Sequence, residues 1–239
     1  MDVINIHDFT ATSEIEFINL QNKLREKITL ENSFNIEVLN LIAGVDLAYW
    51  EDKGRQYATC CIVIIDYKTH EVIEKVNSVG EINTPYIPGF LAFRELPLVI
   101  ETVSKIQCKP DLFIFDGNGF LHSNNMGLAT HASFFLNKPT IGIAKNYFKI
   151  DGVEFIMPEN NQCSYTDIVV NGKIYGRTIR TKRNAKPVFI SCGNNIDLET
   201  CTDIALSLTI KESKVPLPTR LADVETHLVR KCYVEGISF

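Results

Sequence analysis

The sequence predicts an α/β fold in which helices flank a mixed β-sheet. Three apolar segments with short connections lie between residues 41 and 80, as in an antiparallel meander. A strand–helix–strand pattern then spans residues 111–144, and units of this kind make their two strands parallel. A sheet with both arrangements is mixed. Because these elements need one another to cover the sheet, we expect residues 1–239 to form a single domain.

The first predicted element is a helix over residues 13–29. Ser13 and Glu16 have the spacing of a capping box, in which each side chain bonds the main-chain N–H of the other residue. An apolar face at helical spacing consists of Phe17, Leu20, Leu24 and Ile28. We expect this helix to pack against the core and to take no part in the chemistry.

Strands predicted over residues 41–49, 57–66 and 71–80 come next. The first is nearly all apolar and should be buried on both faces, whereas the third alternates as a half-exposed strand does. A proline-rich turn then leads to a helix over residues 90–107, which Pro97 should bend or restart.

The strand–helix–strand unit consists of residues 111–115, 127–137 and 140–144. Further along, Asn171 and Gly172 predict a tight hairpin, because both residues accept the positive φ angles of a primed turn. The hairpin strands, one further strand and two closing helices are expected at residues 167–170, 173–181, 187–191, 200–211 and 221–231.

Composition limits the functions open to the chain. Hydrophobic residues make up 45% of it, as in an ordinary globular protein. We expect a cytoplasmic protein that does not enter a membrane, because no apolar run reaches the roughly 20 residues that span a bilayer and the N-terminal segment lacks a signal-peptide pattern. Seven cysteines without a CxxC pair argue against a zinc site or a disulfide framework.

The net charge of −5 argues against a nucleic-acid partner, whose phosphates need a basic surface. A local exception exists in residues 173–186, which lack acidic residues and carry Lys173, Arg177, Arg180, Lys182, Arg183 and Lys186. We predict that Arg177, Arg180 and Lys182 contact phosphates. The alternative is a hairpin edge that charge protects from pairing.

Three acids follow or interrupt apolar elements. Asp46 comes directly after an apolar run, Asp116 lies between a buried strand and a glycine-containing turn, and Glu95 lies beside the irregularity at Pro97. A buried carboxylate is costly unless it is paired or binds metal. Hard cations such as Mg²⁺ prefer oxygen ligands, and a pair of them about 3.5–4 Å apart can activate water and stabilise a leaving oxygen. The alternatives are a capping aspartate and a solvent-facing glutamate.

Three further side chains fit strand cleavage. Lys145 follows a predicted strand and could offset charge on the phosphorus centre, and His122 could shuttle a proton or position water. Tyr86 lies between two prolines, and a fixed aromatic ring on a protruding turn can wedge into a base stack. The alternatives are a surface lysine, a hydrogen-bonded loop histidine and a core tyrosine.

Taken together, these motifs resemble those of the endonuclease V family of deoxyinosine-repair nucleases. They are, in chain order, GVDLAYW, PYIPGFLAFRELP, DLFIFDGNGFLH with GLATHASFFLNKPTIGIAKN, and PLPTRLAD. The match runs from about residue 40 to the last predicted helix. It implies an RNase H-like fold and a Mg²⁺-dependent nick, with Mn²⁺ as a substitute, at the second phosphodiester bond 3′ to deoxyinosine. The product would carry a 5′-phosphate.

The resemblance also implies roles for individual residues. Metal binding falls to Asp46, Glu95 and Asp116, and Lys145 and His122 match the remaining catalytic positions. Tyr86 matches a strand-separating wedge, and the implied contacts to the lesion come from Pro88, Gly89, Leu91 and Gly119. Many bacterial members carry histidine where this chain has Asp223. Asp223 is therefore a candidate fourth metal ligand or a cause of altered metal preference or substrate breadth.

The expected partner is deoxyinosine-containing DNA, bound by a monomer. An inosine-specific ribonuclease and a lesion-binding module that does not cut are the alternatives. Actin-like ATPases and sugar kinases also place an aspartate after their first strand, but they need small residues beyond it. Here Leu47, Ala48, Tyr49 and Trp50 would crowd a phosphate, which argues against that class.

Overall fold

The computed structural model describes residues 1–10 and 13–237. Its elements are, in chain order, α1 (Glu14–Arg25), a 3-10 helix (Ile36–Val38), β1 (Leu41–Asp52), β2 (Arg55–Asp66), β3 (Val72–Glu81), α2 (Leu91–Ser104), β4 (Leu112–Asp116), α3 (Leu128–Leu136), β5 (Thr140–Ala144), β6 (Tyr165–Val170), β7 (Lys173–Ile179), β8 (Val188–Asn194), α4 (Leu198–Ser207) and α5 (Leu217–Glu235).

The strands in the described residues form one sheet in the order β3-β2-β1-β4-β5-β8-β7-β6. The meander β1–β2–β3 is antiparallel, and β4 pairs in parallel with both β1 and β5. The strands β8, β7 and β6 continue the sheet antiparallel. The predicted α/β class and mixed sheet are therefore confirmed.

Alternation along the central strands divides the core into two layers. Ile42 and Ile114 point to one face and pack with residues of α4 and α5. Val45 and Phe115 point to the other face and pack with residues of α2 and α3. Successive residues of a strand face opposite sides, so the same short apolar run supplies both layers.

Most element boundaries differ from the predictions by a few residues. The capping box at Ser13 is present, but α1 ends at Arg25. Pro97 lies within α2, which continues through it as one helix. The helix α5 begins at Leu217 rather than at residue 221, because Pro218 occupies its first turn, where a missing N–H costs nothing. Asn171 and Gly172 adopt φ angles of 50° and 78°, as the primed turn requires.

The last helix rests directly on the main chain of β1. A Cβ atom at Gly44 would lie 2.1 Å from the carbonyl carbon of Pro218, so only glycine permits this approach. The contact brings the first turns of α5 over the strand that carries Asp46. No helix in the described part of the chain is long and apolar enough to cross a membrane.

Candidate active site

Acidic side chains from four elements reach one end of the sheet. Asp46 lies in β1 and Asp116 ends β4, and these strands are parallel neighbours in which Val45 pairs with Phe115. Glu95 comes from α2 and Asp223 from α5. We call these four residues the carboxylate cluster. The structure thus brings together acids that are far apart in the sequence.

Lys145 lies at the centre of the carboxylate cluster. Its Nζ is 2.5 Å from Asp116 Oδ2 and 3.5 Å from Asp223 Oδ1. Partial burial opposes its charge, but the hydrogen bond and charge of Asp116, together with the charges of Asp223 and Asp46, raise the pKa of Lys145. The ammonium is therefore firmly protonated.

For the carboxyl groups of Asp46 and Glu95, favourable interactions do not offset the cost of burying a charge. Burial, with the neighbouring charge of Asp116, raises the pKa of Asp46 to about 8 despite the charge of Lys145. Burial also raises the pKa of Glu95 to about 7, although a hydrogen bond from the Tyr49 hydroxyl opposes the shift. Because burial is the larger cause of both shifts, each carboxyl favours its protonated form unless a cation compensates its charge.

Asp223 is held by its own helix. Arg220 Nη1 lies 2.5 Å from Asp223 Oδ2, and His227 Nε2 lies 4.0 Å from Oδ1. Its side chain is 18% exposed, so it faces the cluster rather than bulk solvent. Asp223, at which the sequence departs from the family pattern, therefore lies within contact distance of Lys145.

The donor atoms of the cluster suit a hard divalent cation, because they are all carboxyl oxygens. The side chains are not arranged as a finished cage. In residues 1–10 and 13–237, no three or more His, Cys, Asp or Glu side chains form a ready-made metal site. Lys145 occupies the space between Asp116 and Asp223. A cation bound by these acids must therefore share the space with the Lys145 ammonium.

A second feature is a cavity of about 130 Å³, which we call the base cavity. It is lined by Tyr86, Gly89, Leu91, Ala92, Asn118, His122, Met126, Gly127, Leu128 and Phe148. Tyr86 is 66% exposed at its rim, so its ring is not part of the core. Pro88 is exposed in the adjoining turn and does not line the cavity.

His122 is a buried, neutral wall of the base cavity. It is 4% exposed, and its ring stacks on Phe148 with 4.6 Å between centroids. Burial lowers the pKa of His122 to about 4, although a main-chain hydrogen bond at Gly89 opposes the shift. The main-chain N–H of Asn124 donates to Nδ1 at 3.1 Å, so the ring proton lies on Nε2. His122 therefore presents a hydrogen-bond donor at Nε2 from a neutral ring.

Gly119 lies outside the cavity, contrary to the role expected for its main chain. Its N–H donates to Ser191 Oγ at 2.9 Å, and its carbonyl accepts from Gly127 N at 3.0 Å. A Cβ atom at Gly119 would lie 2.2 Å from Cys192 O. Glycine is required here by close packing against β8, and both main-chain groups already make hydrogen bonds within the fold.

The basic stretch separates into two kinds of residue. Arg177 is 6% exposed, bonds Asp167 at 2.8 Å and Glu199 at 2.9 Å, and lies over the Tyr165 ring. The guanidinium is already used within the fold, which argues against the predicted phosphate contact of Arg177.

The other two predicted phosphate contacts lie nearer the surface. Arg180 Nε donates to Pro158 O at 3.1 Å, and its guanidinium lines an open groove together with Lys186. Lys182 Nζ bonds the carbonyl of Lys211. Both cations keep donors that a phosphate could meet.

Two contributors to the site had no signal in the sequence. Gln21 of α1 is 1% exposed, donates to Gly89 O at 3.0 Å and accepts from Asn124 Nδ2 at 2.8 Å. It fastens the turn that carries Tyr86, so α1 does more than pack. Asn118 lines the base cavity, and its buried Oδ1 atom has no hydrogen-bond partner among the described residues. Both depend on contacts between segments, which periodicity does not report.

The model of the family named Endonuclease V matches residues 22–224. The chain belongs to the endonuclease V family. The endonuclease V of Bacillus thuringiensis subsp. konkukian is 62% identical over 221 residues, which cover 92% of this chain and 94% of the relative. Membership makes the chain a metal-dependent nuclease of DNA repair.

Solved structures of endonuclease V agree with the fold. The crystal structure from Bacillus subtilis has a TM-score of 0.96 and 52% identity, covering 99% of this chain and 100% of that one. Ciona intestinalis endonuclease V, in complex with a 24mer DNA containing an inosine followed by a ribo-adenosine, has a TM-score of 0.81 and 25% identity. That match covers 91% of this chain and 97% of the Ciona chain.

Proposed function

We propose that this chain nicks DNA at the second phosphodiester bond 3′ to deoxyinosine, requires Mg²⁺ or Mn²⁺, and leaves a 5′-phosphate. The observation that carries the proposal is the convergence of Asp46, Asp116 and Asp223 on Lys145 in a member of the endonuclease V family. Asn118, which lines the base cavity, follows Asp116 by only two residues, so cleavage and base recognition are adjacent.

Asp46 and Asp116 are the residues proposed to hold the metal, with Glu95 and Asp223 as further oxygen donors. A divalent ion in such a site supplies Lewis acidity, which lowers the pKa of the attacking water and stabilises the leaving oxygen. Lys145 contributes a fixed positive charge beside Asp116, where it can meet a non-bridging phosphate oxygen as negative charge develops.

The base cavity is proposed to receive the hypoxanthine base. Tyr86 projects from the rim and would fill the gap that the extruded nucleotide leaves in the stack. Gly89 and Leu91 form the wall behind it. His122 offers a hydrogen bond from a neutral ring, so its contribution does not change with pH in the physiological range.

The substrate strand is proposed to follow the open groove that Arg180 and Lys186 line. The Ciona relative in complex with inosine-containing DNA supports DNA as the partner. We propose that the enzyme acts as a cytoplasmic monomer. Inosine-containing RNA is the competing substrate to include in every assay.

The test is cleavage of a labelled duplex that contains one deoxyinosine, compared with the same duplex carrying deoxyadenosine, in Mg²⁺ and in EDTA. We expect one nick, one nucleotide beyond the lesion, only with inosine and metal. Asp46→Asn and Asp116→Asn should abolish cutting and retain lesion binding in EDTA. Asp203→Asn, which changes an exposed acid on α4, is the matched control. An intact strand with the wild-type protein would refute the proposal.

A further inference from the structure

The hydroxyl of Tyr49 is the group that fixes Glu95. Tyr49 Oη donates to Glu95 Oε1 at 2.6 Å, a length typical of a hydrogen bond to an ionised carboxylate. Glu95 is 6% exposed. Among the described residues, no other donor bonds this carboxylate. The orientation of a buried acid therefore depends on a single phenol.

Tyr49 is itself held in place from several directions. It lies in β1, where it pairs with Ala58 of β2. The Arg94 guanidinium lies over its ring, 4.8 Å from the centroid, and Arg230 Nη1 donates to its carbonyl at 3.3 Å. A tyrosine side chain has only two χ angles, so these contacts leave the hydroxyl little freedom.

The position of Tyr49 in β1 explains why its hydroxyl contacts Glu95. Asp46 and Tyr49 are three positions apart along one strand, so their side chains leave opposite faces of the sheet. Asp46 joins the cluster directly on the face that α5 covers. On the other face Tyr49 meets Glu95 of α2. One strand therefore supplies one acid and orients a second across the sheet.

We propose that Tyr49 is a positioning residue for the metal site, because it occupies Oε1 of Glu95 and leaves Oε2 as the oxygen that binds the cation. This inference rests on the proposed function, in which Glu95 is a metal ligand. Donors to a ligating carboxylate reduce the freedom that the ligand must lose on binding, and removing such a donor typically weakens metal affinity about 10- to 100-fold.

The experiment measures Mn²⁺ binding to the DNA-free protein by titration calorimetry. Tyr49→Phe removes only the hydroxyl, and we expect a dissociation constant about 10-fold or more above wild type. Tyr57→Phe is the matched control, since that ring packs against Trp50 and its hydroxyl makes no hydrogen bond within the described residues. Thermal melts verify that both variants fold, and Tyr49→Leu is measured as a second variant without the hydroxyl.

A double-mutant cycle with Glu95→Gln separates positioning from general packing. If Tyr49 acts through Glu95, adding Tyr49→Phe to Glu95→Gln leaves Mn²⁺ affinity unchanged. In cleavage assays, Tyr49→Phe should need more Mn²⁺ for half-maximal rate and approach wild-type rate at saturation.

Two results would overturn the inference. One is wild-type Mn²⁺ affinity in folded Tyr49→Phe, and the other is an equal loss of affinity in the Glu95→Gln background. Either of them leaves the proposed nuclease function standing. A wild-type protein that binds no Mn²⁺ would instead refute the metal site itself.

Discussion

The ammonium of Lys145 and the carboxylate of Asp116 are 2.5 Å apart, at the adjoining ends of two parallel strands. The same lysine lies 3.5 Å from Asp223. A lysine in this position both attracts phosphate and competes with a cation for Asp116. Catalysis and metal affinity therefore respond in different ways to its removal.

Lys145→Met should lower the single-turnover cleavage rate about 10²–10³-fold, as expected when one group that stabilises developing charge is lost. Mn²⁺ affinity of the DNA-free protein should stay the same or improve, because a competitor for Asp116 has gone. Rapid-quench kinetics and calorimetry measure the two quantities. Lys138→Met, which removes a lysine before β5, is the control. A parallel fall in rate and metal affinity would contradict this account.

The stability of the metal-free protein should decrease as pH rises from about 4 to about 8. Burial and the charge of Asp116 raise the pKa of Asp46 to about 8, so the folded state binds its proton more tightly than the unfolded state does. The stabilisation is complete below the unfolded pKa and is lost as pH passes through the folded value. Thermal melts in EDTA across this range provide the measurement.

Asp46→Asn should flatten this pH dependence, because the amide carries no titratable proton. Addition of Mg²⁺ should flatten it as well, since a bound cation compensates the ionised carboxylate. If the melting temperature of the Asn variant followed that of wild type through the whole range, Asp46 would not be the group responsible.

Tyr86→Ala should weaken binding to an inosine duplex about 10-fold in EDTA, a loss within the range reported for base–aromatic stacking. The ring is 66% exposed, so the melting temperature should hardly change. Tyr86→Phe keeps the ring and should bind like wild type. Fluorescence anisotropy with and without the lesion gives both affinities. Equal loss for Ala and Phe would mean that the hydroxyl matters, not the wedge.

Arg177→Met should cost about 1–3 kcal/mol of folding free energy, because Asp167 and Glu199 lose charged hydrogen bonds. The salt dependence of DNA binding should not change. Lys186→Met should behave in the opposite way, lowering the slope of log K against log salt by about one with little effect on stability. Chemical denaturation and salt titrations distinguish them. A reduced slope for Arg177→Met would restore it as a phosphate contact.

Local patterns predicted the elements well because the relevant information is local. The apolar runs that became β1 and β4 alternate between two covered faces, and the Asn171–Gly172 pair specifies its turn without help from the rest of the chain. The ends of helices and strands were less well predicted where a tertiary contact determines where the element begins. The start of α5 is one case, since Pro218 begins a helix only because Gly44 lets it settle on β1.

In the candidate site, too, local features could be predicted from the sequence, whereas contacts between distant segments could not. Asp46 and Asp116 could be inferred because a carboxylate that directly follows a buried run must reach a strand end. The ion pairs of Arg177 could not be inferred, because its acidic partners come from β6 and α4 and no spacing rule joins them. The packing role of Gly119 could not be inferred for a related reason, since the sequence shows that a residue is small but not which neighbour requires it to be small.

The seating of α5 on Gly44 has a consequence for synthesis of the protein. Asp46 leaves the ribosome early, whereas Asp223 belongs to a helix that must be translated before it can dock over β1. A growing chain that already contains Tyr86 and the other three acids of the cluster still lacks α5, which carries Asp223. Because α5 also covers part of the core, the complete carboxylate cluster should form only after translation has passed α5.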